Sequence, residues 1–253
     1  MPNASVMDRI AVFLDFDDTL HDFTGAYRGA LLQAVGAVCL AAGPSCDPAR
    51  LAERCAAAWA EIWERFVRGE IGEASLWAER SACALTLAGM APDPSLAEAV
   101  HTGYLAGMDA GLRLYPETSA ALGLLREARP QPVVGLLTNG PALTQRERLA
   151  RLGLAGHFRP LVISGELGCA KPDPRFFKTA LDQAGVHPRS AVMIGDHPVA
   201  DVVGAQRAGL RAIWLNRGGA PWPGDAGPTP EAICGDLAAA VRQALKWLGT
   251  TPA

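Results

Sequence analysis

Residues 10–19 read Ile-Ala-Val-Phe-Leu-Asp-Phe-Asp-Asp-Thr, a short apolar run that ends in a group of carboxylates. An apolar run of this length, bounded by polar residues, is typical of a strand buried on both faces of a parallel sheet. Carboxylates at the end of such a strand repel one another unless a cation or a shared proton lies between them. The stretch therefore predicts a buried first strand with an acidic site directly after it.

The second half of the chain repeats this pattern. Apolar runs at residues 133–137, 161–164, 191–194 and 212–215 alternate with helical patterns at residues 117–128, 142–152, 175–184 and 199–208. Alternation of strands and helices predicts an α/β fold, a Rossmann-like doubly wound parallel sheet with helices on both faces. Ligands of such sheets bind at the carboxyl ends of the strands. Polar residues collect at those positions in this chain, namely Asp15, Asp17, Thr138, Asn139 and Asp196.

A different pattern separates the first strand from this alternation. From residue 23 to about residue 110, alanine is abundant and apolar residues recur at spacings of three and four, as in Leu51, Cys55, Trp59 and Ile62. Glycine and proline breaks divide the stretch into about four helices. We predict an inserted all-α cap domain over residues 22–112, and an α/β core formed by residues 1–21 together with 113–253.

Composition excludes several classes of protein. The chain has 253 residues, 49 % of them hydrophobic and 19 % charged, with a net charge of −3, which excludes intrinsic disorder. Without a cluster of Lys and Arg, a nucleic acid polymer is not an expected partner. No basic leader with an apolar stretch opens the chain, and the longest weakly polar run, residues 29–44, is too short to span a membrane comfortably. We therefore expect a cytoplasmic protein that does not bind membranes, with its six scattered cysteines buried as small apolar residues.

One further group of residues could complete the acidic site. The sequence Gly195-Asp196-His197-Pro198-Val199-Ala200-Asp201 follows a predicted strand, so Asp196 is expected at the same sheet edge as Asp15 and Asp17. Magnesium is the natural partner of such a pocket because it prefers hard oxygen ligands and leaves positions open for phosphate oxygens. Taken singly, the stretch is also explained by a turn with a helix-capping aspartate.

Two further groups are suited to bind an anion. Thr138-Asn139-Gly140 offers a hydroxyl and backbone N–H groups at a strand end, and Lys171 lies just before a predicted helix. Lysine is rare in this chain, with only three among its 23 basic residues. Together with the acidic site, these groups predict phosphoryl transfer through a carboxylate, in which one Asp attacks phosphorus and a second Asp moves the protons. A phospho-acceptor switch and a non-catalytic binding protein are the alternatives.

Taken in chain order, as residues 15–19, 138–140, 171–174 and 195–201, these four groups resemble the four motifs of the haloacid dehalogenase-like hydrolases. The resemblance implies that Asp15 is the nucleophile and a Mg²⁺ ligand, and that Asp17 is the general acid and base, with its backbone carbonyl on the metal. It implies that Thr138, helped by the backbone of Asn139 and Gly140, binds the phosphoryl group and that Lys171 neutralises it. Asp196 would be the third metal anchor, supported by Asp201.

This sequence differs from two other branches of the family, and these differences argue against dehalogenation and phosphonate cleavage. Dehalogenating members typically carry tyrosine at the position of Asp17, and phosphonate-cleaving members use a cap lysine, which residues 22–112 lack. A phosphatase for a small phosphorylated metabolite is therefore expected, most similar to the nucleotidase and N-acylneuraminate-9-phosphatase branch, as a monomer or a homodimer. A sugar-phosphate mutase is the alternative within the family.

Substrate choice is expected to depend on residues of the inserted domain and its entry. His21, Asp22 and Phe23 directly follow the first motif and are candidates for specificity. A helical stripe of Trp59, Trp63 and Phe66 is explained by core packing between helices or by stacking on a substrate ring. Three arginines in the same domain could contact an acidic substrate or simply cover a solvated face: Arg65, Arg68 and Arg80.

Overall fold

The computed structural model describes residues 9–250, which divide into two compact units. The helical unit is Asp22–Arg113, and the α/β unit contains the described residues up to His21 and from Leu114 onward. Four helices form the helical unit: α1 Phe23–Ala42, α2 Pro48–Val67, α3 Glu73–Leu87 and α4 Pro94–Gly111. Aspartates cap three of them, because Asp22, Asp47 and Asp93 each accept a backbone N–H from the first turn.

Glycines let α1 and α4 approach closely. A Cβ atom on Gly107 would lie 2.4 Å from Cα of Ala30, and one on Gly111 would lie 2.6 Å from Cα of Ala26. Helix α1 is also the one helix of the described residues that is long and apolar enough, by length and composition, to cross a membrane. Its buried side, which includes Ala34 and Val38, belongs to the core of the helical unit.

Substitution of Gly107 by valine is expected to lower the free energy of unfolding by about 1–3 kcal/mol, because backbone atoms of α1 cannot yield to the new side chain. Gly29, on an exposed position of α1 with nothing within 4 Å of a new Cβ atom, is the matched control. Gly29→Ala is expected to stabilise the helix by up to about 1 kcal/mol. Urea unfolding of both variants measures the difference, and equal stabilities would contradict the close packing of the two helices.

The α/β unit has six described strands and six described helices around one sheet. The strands are β1 Ala11–Leu14, β2 Val133–Thr138, β3 Leu161–Ile163, β4 Ala191–Gly195, β5 Arg211–Leu215 and β6 Ala232–Cys234. The helices are α5 Thr118–Glu127, α6 Ala142–Arg151, α7 Ser164–Leu167, α8 Pro174–Ala184, α9 Gly204–Arg207 and α10 Leu237–Trp247. A 3₁₀ turn, Pro188–Ser190, precedes β4.

All strand pairs are parallel, in the order β3-β2-β1-β4-β5-β6. The chain builds the sheet outward from β1 on one side and then returns to build β4, β5 and β6 on the other. The boundary between β1 and β4 is thus the topological switch point, where α/β sheets form a ligand crevice at the carboxyl edge. Leu14 is in register with both Leu136 and Ile194, so the residues that follow β1, β2 and β4 meet at this edge.

Alternate residues of β1 enter the two hydrophobic cores of the α/β unit. Val12 and Leu14 belong to the core that includes residues of α5 and α10, and Ala11 and Phe13 belong to the core that includes residues of α8. All four residues are fully buried. Burial on both faces explains why the strand reads as a continuous apolar run, and it fixes the position of the residue that follows it.

The fold class predicted from the sequence is confirmed, with local differences. Residues 199–208, predicted as one α-helix, form a π-helical turn, Pro198–Val203, followed by the short α9. The prediction omitted β6 and α10. All six cysteines are free, but only Cys39 and Cys55 are buried. The other four are half-buried, so the expectation of six buried cysteines was wrong for them.

Candidate active site

Asp15 lies at the switch point. Its backbone N–H donates to the carbonyl oxygen of Ile194 at 2.9 Å, which continues the pairing of β1 with β4 by one residue. The residue is 6 % exposed. The pKa of the Asp15 carboxyl is raised to about 7, chiefly by burial and also by the neighbouring carboxylates of Asp201 and Asp17, against the opposing charge of Lys171. Asp15 therefore sits in a crowded acidic environment where its negative charge requires a cation.

Lys171 supplies one positive charge to this environment. Its side chain is 2 % exposed, and its Nζ atom donates to Asp15 Oδ1 at 2.5 Å, to Asp201 Oδ1 at 2.6 Å and to the carbonyl oxygen of Leu137 at 2.8 Å. Burial alone would lower the pKa of Lys171, but Asp15 and Asp201 outweigh it and hold the pKa above its ordinary value. Lys171 is therefore a fixed ammonium ion between two carboxylates.

The side chain of Asn139 holds the backbone of Lys171 in place. Its Nδ2 atom donates to the carbonyl oxygen of Lys171, and its Oδ1 atom accepts the backbone N–H of Lys171, both at 2.9 Å. Asn139 directly follows β2, so this pair of hydrogen bonds ties the loop before α8 to the sheet edge. The sequence predicted only a backbone role for Asn139 and gave no signal for this pair of side-chain hydrogen bonds.

Three carboxylates of the α/β unit form a group that fits a metal ion. One oxygen from each of Asp15, Asp196 and Asp201 lies within 4.8 Å of the other two. Burial raises the pKa of Asp196 well above its ordinary value, with the charges of Asp15 and Asp201 adding to the effect. One ammonium group cannot balance three carboxylates, so the donor set is suited to a hard divalent cation such as Mg²⁺.

The π-helical turn places Asp201 in this group. Oδ2 of Asp201 accepts the backbone N–H of His197 at 2.9 Å. A Cβ atom on Gly195 would lie 2.3 Å from the same carboxylate oxygen, so only glycine fits at the end of β4. His197 caps this turn, because its Nδ1 atom accepts the backbone N–H groups of Val199 and Ala200. In this structure His197 therefore has a structural role.

Thr138 ends β2 and is 1 % exposed. Its hydroxyl lies at the same sheet edge as Asp15, as expected for a phosphate-binding group. Gly140 differs from the expectation: its backbone N–H donates to Ser164 Oγ at 2.9 Å. That N–H is therefore already used within the protein and is not directed at a ligand in this structure.

The Asp17 carboxylate does not belong to the metal-binding group. Oδ1 of Asp17 accepts from Arg148 Nη1 and contacts His21 Nε2, both at 2.8 Å. Its Oδ2 atom accepts from Arg148 Nη2 and from Gln145 Nε2, both at 3.2 Å. Burial alone would raise the pKa of Asp17, but the Arg148 guanidinium, the His21 hydrogen bond and the Gln145 amide hold it well below its ordinary value.

The fold agrees with a comparison against known families. A family model described as a haloacid dehalogenase-like hydrolase matches residues 11–209. The chain belongs to the haloacid dehalogenase-like hydrolases. The matched stretch contains the candidate active-site residues described above, from Asp15 to Asp201.

Curated relatives of this haloacid dehalogenase-like hydrolase are named as phosphatases. The phosphoserine phosphatase of Thermus thermophilus is 49 % identical over 125 residues, which cover 49 % of this chain and 48 % of the relative. The glyceraldehyde 3-phosphate phosphatase of Methanothermobacter thermautotrophicus is 31 % identical over 207 residues, which cover 81 % of this chain and 85 % of the relative. The chain spans about half the length of the first of these relatives.

A solved structure shares the fold. The magnesium-bound HAD-hydrolase YfnB of Bacillus subtilis aligns with a TM-score of 0.73 at 23 % identity, covering 95 % of this chain and 99 % of that one. At this identity the likeness shows that the two chains fold alike.

The specificity candidates of this hydrolase have different surroundings. His21 is fully buried in the α/β unit, where it contacts Asp17 and the ring of Phe16. Asp22 caps α1 and forms an ion pair with Arg113 within the helical unit. Phe23 stacks on Tyr27, with ring centroids 5.7 Å apart. Their effect on substrate choice stays a prediction.

Within the helical unit, the aromatic stripe and the arginines mostly contact one another or nearby carboxylates. Trp59 is 1 % exposed and belongs to the core, as the packing interpretation holds, and Trp63 packs against Phe66. Arg65 pairs with Glu79, and Arg68 pairs with Glu70. Arg80 is buried among the rings of Trp59, Trp63, Trp77 and Tyr104.

Two residues of α6 were missed by the sequence analysis. Gln145 is fully buried and Arg148 nearly so, and both contact Asp17. A polar residue inside a helix ordinarily indicates a solvated face, so nothing in the helical pattern distinguishes them. Their spacing of three residues, which puts them on the same side of α6, is the one signal that sequence offers.

Proposed function

We propose that this chain is a Mg²⁺-dependent phosphatase that hydrolyses small phosphate monoesters through an aspartyl-phosphate on Asp15. The observation that carries the proposal is the convergence of Asp15, Lys171, Asp196 and Asp201 at the carboxyl edge of the sheet. The names of the curated relatives support the reaction class. We propose the cytoplasm as the location and a phosphorylated metabolite as the substrate.

Each residue of the site has a separate role in binding a phosphoryl group. The Thr138 hydroxyl is a donor for a phosphoryl oxygen, and the Lys171 ammonium offsets the charge of Asp15 as it meets an anionic substrate. Asp15, Asp196 and the backbone carbonyl of Asp17 would hold Mg²⁺, with Asp201 supporting them. When bound, Mg²⁺ supplies positive charge that shields the nucleophile from the phosphate and stabilises the transition state.

The reaction proceeds in two displacements. One oxygen of Asp15 forms a bond to phosphorus, the bond from phosphorus to the ester oxygen breaks, and Asp17 gives a proton to the departing alkoxide. Water then attacks the phosphorus and gives a proton to Asp17, while the bond from phosphorus to Asp15 breaks. The products are an alcohol, inorganic phosphate and the regenerated Asp15 carboxylate.

The surroundings of Asp17 suit one of these steps better than the other. Arg148 keeps Asp17 as a carboxylate, the state that accepts a proton from water in the second displacement. Protonation of Asp17 for the first displacement has to overcome that ion pair. Aryl phosphates, whose leaving groups depart without a proton, are therefore suitable substrates for the first test.

Steady release of phosphate from 4-nitrophenyl phosphate is expected when Mg²⁺ is present. Removal of the metal with EDTA is expected to lower the rate by at least about 100-fold, since a metal at such a site lowers the barrier by several kcal/mol. Excess Mg²⁺ should restore the rate, which separates metal loss from unfolding. Full activity in EDTA would contradict the proposal. Labelling of the protein without turnover would favour the phospho-acceptor alternative, and transfer between sugars would favour a mutase.

A further inference from the structure

Gln145 connects two groups that the proposed reaction uses. Its side chain is fully buried near the start of α6, seven residues after Thr138. The Nε2 atom of Gln145 lies 2.6 Å from Thr138 Oγ1, 3.1 Å from the carbonyl oxygen of Asn139 and 3.2 Å from Asp17 Oδ2. One amide group is thus in contact with the phosphate-binding hydroxyl and with the proton-transferring carboxylate.

Arg148 determines which way this amide faces. Nη2 of Arg148 donates to Oε1 of Gln145. A guanidinium has only donors, so the end of the amide that faces Arg148 has to be the carbonyl oxygen. The NH₂ end of Gln145 therefore faces Thr138 and Asp17, and a reversed amide would leave two donors facing one another.

This orientation determines the role of the Thr138 hydroxyl. A hydroxyl has one hydrogen, and it can accept at its lone pairs while donating that hydrogen elsewhere. Because Gln145 can only donate to Thr138 Oγ1, the hydrogen of Thr138 cannot be used in their bond. Within residues 9–250, the Thr138 hydroxyl donates to the carbonyl oxygen of Asn139, at a long distance of 3.4 Å. The hydrogen is therefore available to an incoming phosphoryl oxygen.

Gly140 provides the space for this arrangement. Its φ angle is +152°, and a Cβ atom at this position would lie 3.0 Å from both Cδ and Nε2 of Gln145. Any side chain here would press on the amide, so the glycine that follows Thr138 and Asn139 lets Gln145 reach them.

We propose that Gln145, oriented by Arg148, is a positioning residue that directs the Thr138 hydrogen toward the phosphoryl group and holds the Asp17 carboxylate beside it. The inference rests on the proposed phosphatase function and adds to it a residue that acts through two others. Thr138 and Asp17 are thereby held by a single side chain, which couples phosphate binding to the group that moves the protons.

A double-mutant cycle with 4-nitrophenyl phosphate tests the coupling. Q145L and T138V are each expected to lower kcat/KM by about 10- to 100-fold, Q145L because it misdirects groups of the site and T138V because it removes a hydroxyl that binds the phosphoryl group. Each should also weaken inhibition by inorganic phosphate. If Gln145 acts on phosphate through the Thr138 hydroxyl, Q145L should change phosphate inhibition of the T138V enzyme by no more than about twofold. Losses of phosphate inhibition that multiply in the double variant would overturn the inference.

A second variant separates direction from packing. Q145E keeps the shape of the side chain. As a carboxylate beside Arg148 it can only accept, so Thr138 would turn its hydrogen toward residue 145. We expect Q145E to lose more phosphate affinity than Q145L. This additional loss should disappear when Thr138 is replaced by Val. A packing role predicts the reverse order, since Glu fits the site better than Leu. R146M is the matched control on α6, because Arg146 is half exposed and pairs with Glu166.

The failure of the inference is distinguishable from the failure of the proposed function. A folded wild-type protein without phosphatase activity would overturn the function, and the inference with it. An active wild-type enzyme with an unaffected, folded Q145L variant would overturn the inference alone. Circular dichroism and urea unfolding establish folding, and Q145E carries the test if Q145L does not fold.

Discussion

The variant D15N is expected to lose turnover of 4-nitrophenyl phosphate by at least about 10⁴-fold, a loss typical of removing a nucleophile. The Asn amide has nearly the shape of the carboxyl group but cannot form a stable bond to phosphorus. Lys171 retains its bonds to Asp201 and to the carbonyl oxygen of Leu137, so the site should keep its structure. Initial rates at saturating Mg²⁺ measure the effect.

Although D15N should lose activity, its stability is not expected to fall. A carboxyl whose pKa is raised from 3.8 to about 7 by folding destabilises the folded state as pH rises through these values, because ionisation then favours the unfolded chain. In the metal-free protein at pH 8, D15N should therefore be at least as stable as the wild type. Below about pH 4 this advantage should disappear. The exposed Asp182, replaced by Asn, is the control for activity. An active D15N enzyme would contradict the assignment of the nucleophile.

The variant K171M is expected to lower the free energy of unfolding by about 3–5 kcal/mol in metal-free protein at pH 8. Removal of one partner of a buried ion pair leaves the remaining charges without compensation, which accounts for a loss of this size. Here three carboxylates, Asp15, Asp196 and Asp201, would remain without their ammonium ion. Turnover should also fall by at least about 10³-fold, because the phosphoryl group loses its fixed positive charge.

Lys178 provides a matched control for this variant. It lies on α8, is mostly exposed and pairs with Asp182, so K178M should change the stability by less than about 0.5 kcal/mol. Lowering the pH should reduce the loss of stability of K171M, because Asp15 and Asp196 have raised pKa values and are the first to become protonated. Added Mg²⁺ should restore part of the stability by taking up the same carboxylates. Urea unfolding that shows equal stability for K171M and K178M would contradict the electrostatic account.

The sequence predicted which strand ends would meet, because the pattern of a parallel sheet requires it. Residues 10–14 are apolar on both faces, so they had to form a buried strand, and Asp15 had to emerge at its end. The same reasoning located Thr138 after β2 and Asp196 after β4. These positions follow from the geometry of the backbone alone, and the order of the strands then brings them to one switch point.

Side-chain hydrogen bonds across the fold could not be predicted in this way. The contacts of Gln145 and Arg148 with Asp17 depend on how α6 rotates against the sheet, which a pattern of apolar residues determines only within tens of degrees. The π-helical turn at Pro198–Val203 has no sequence signature of its own. Helix α10 did have one, since Asp236 caps it and apolar residues recur on one face, but the glycine-rich stretch before it obscured the pattern.

The identity of the residue that carries the phosphoryl group tests the central claim most directly. The enzyme, both wild type and D17N, is mixed with 4-nitrophenyl phosphate and Mg²⁺, quenched in acid, digested and examined by mass spectrometry. The account predicts a phosphoryl group on Asp15, labile in alkali, which accumulates in D17N because the second displacement lacks its base. A phosphoryl group on any other residue, or undiminished turnover by an enzyme in which Asp15 never carries one, would contradict it.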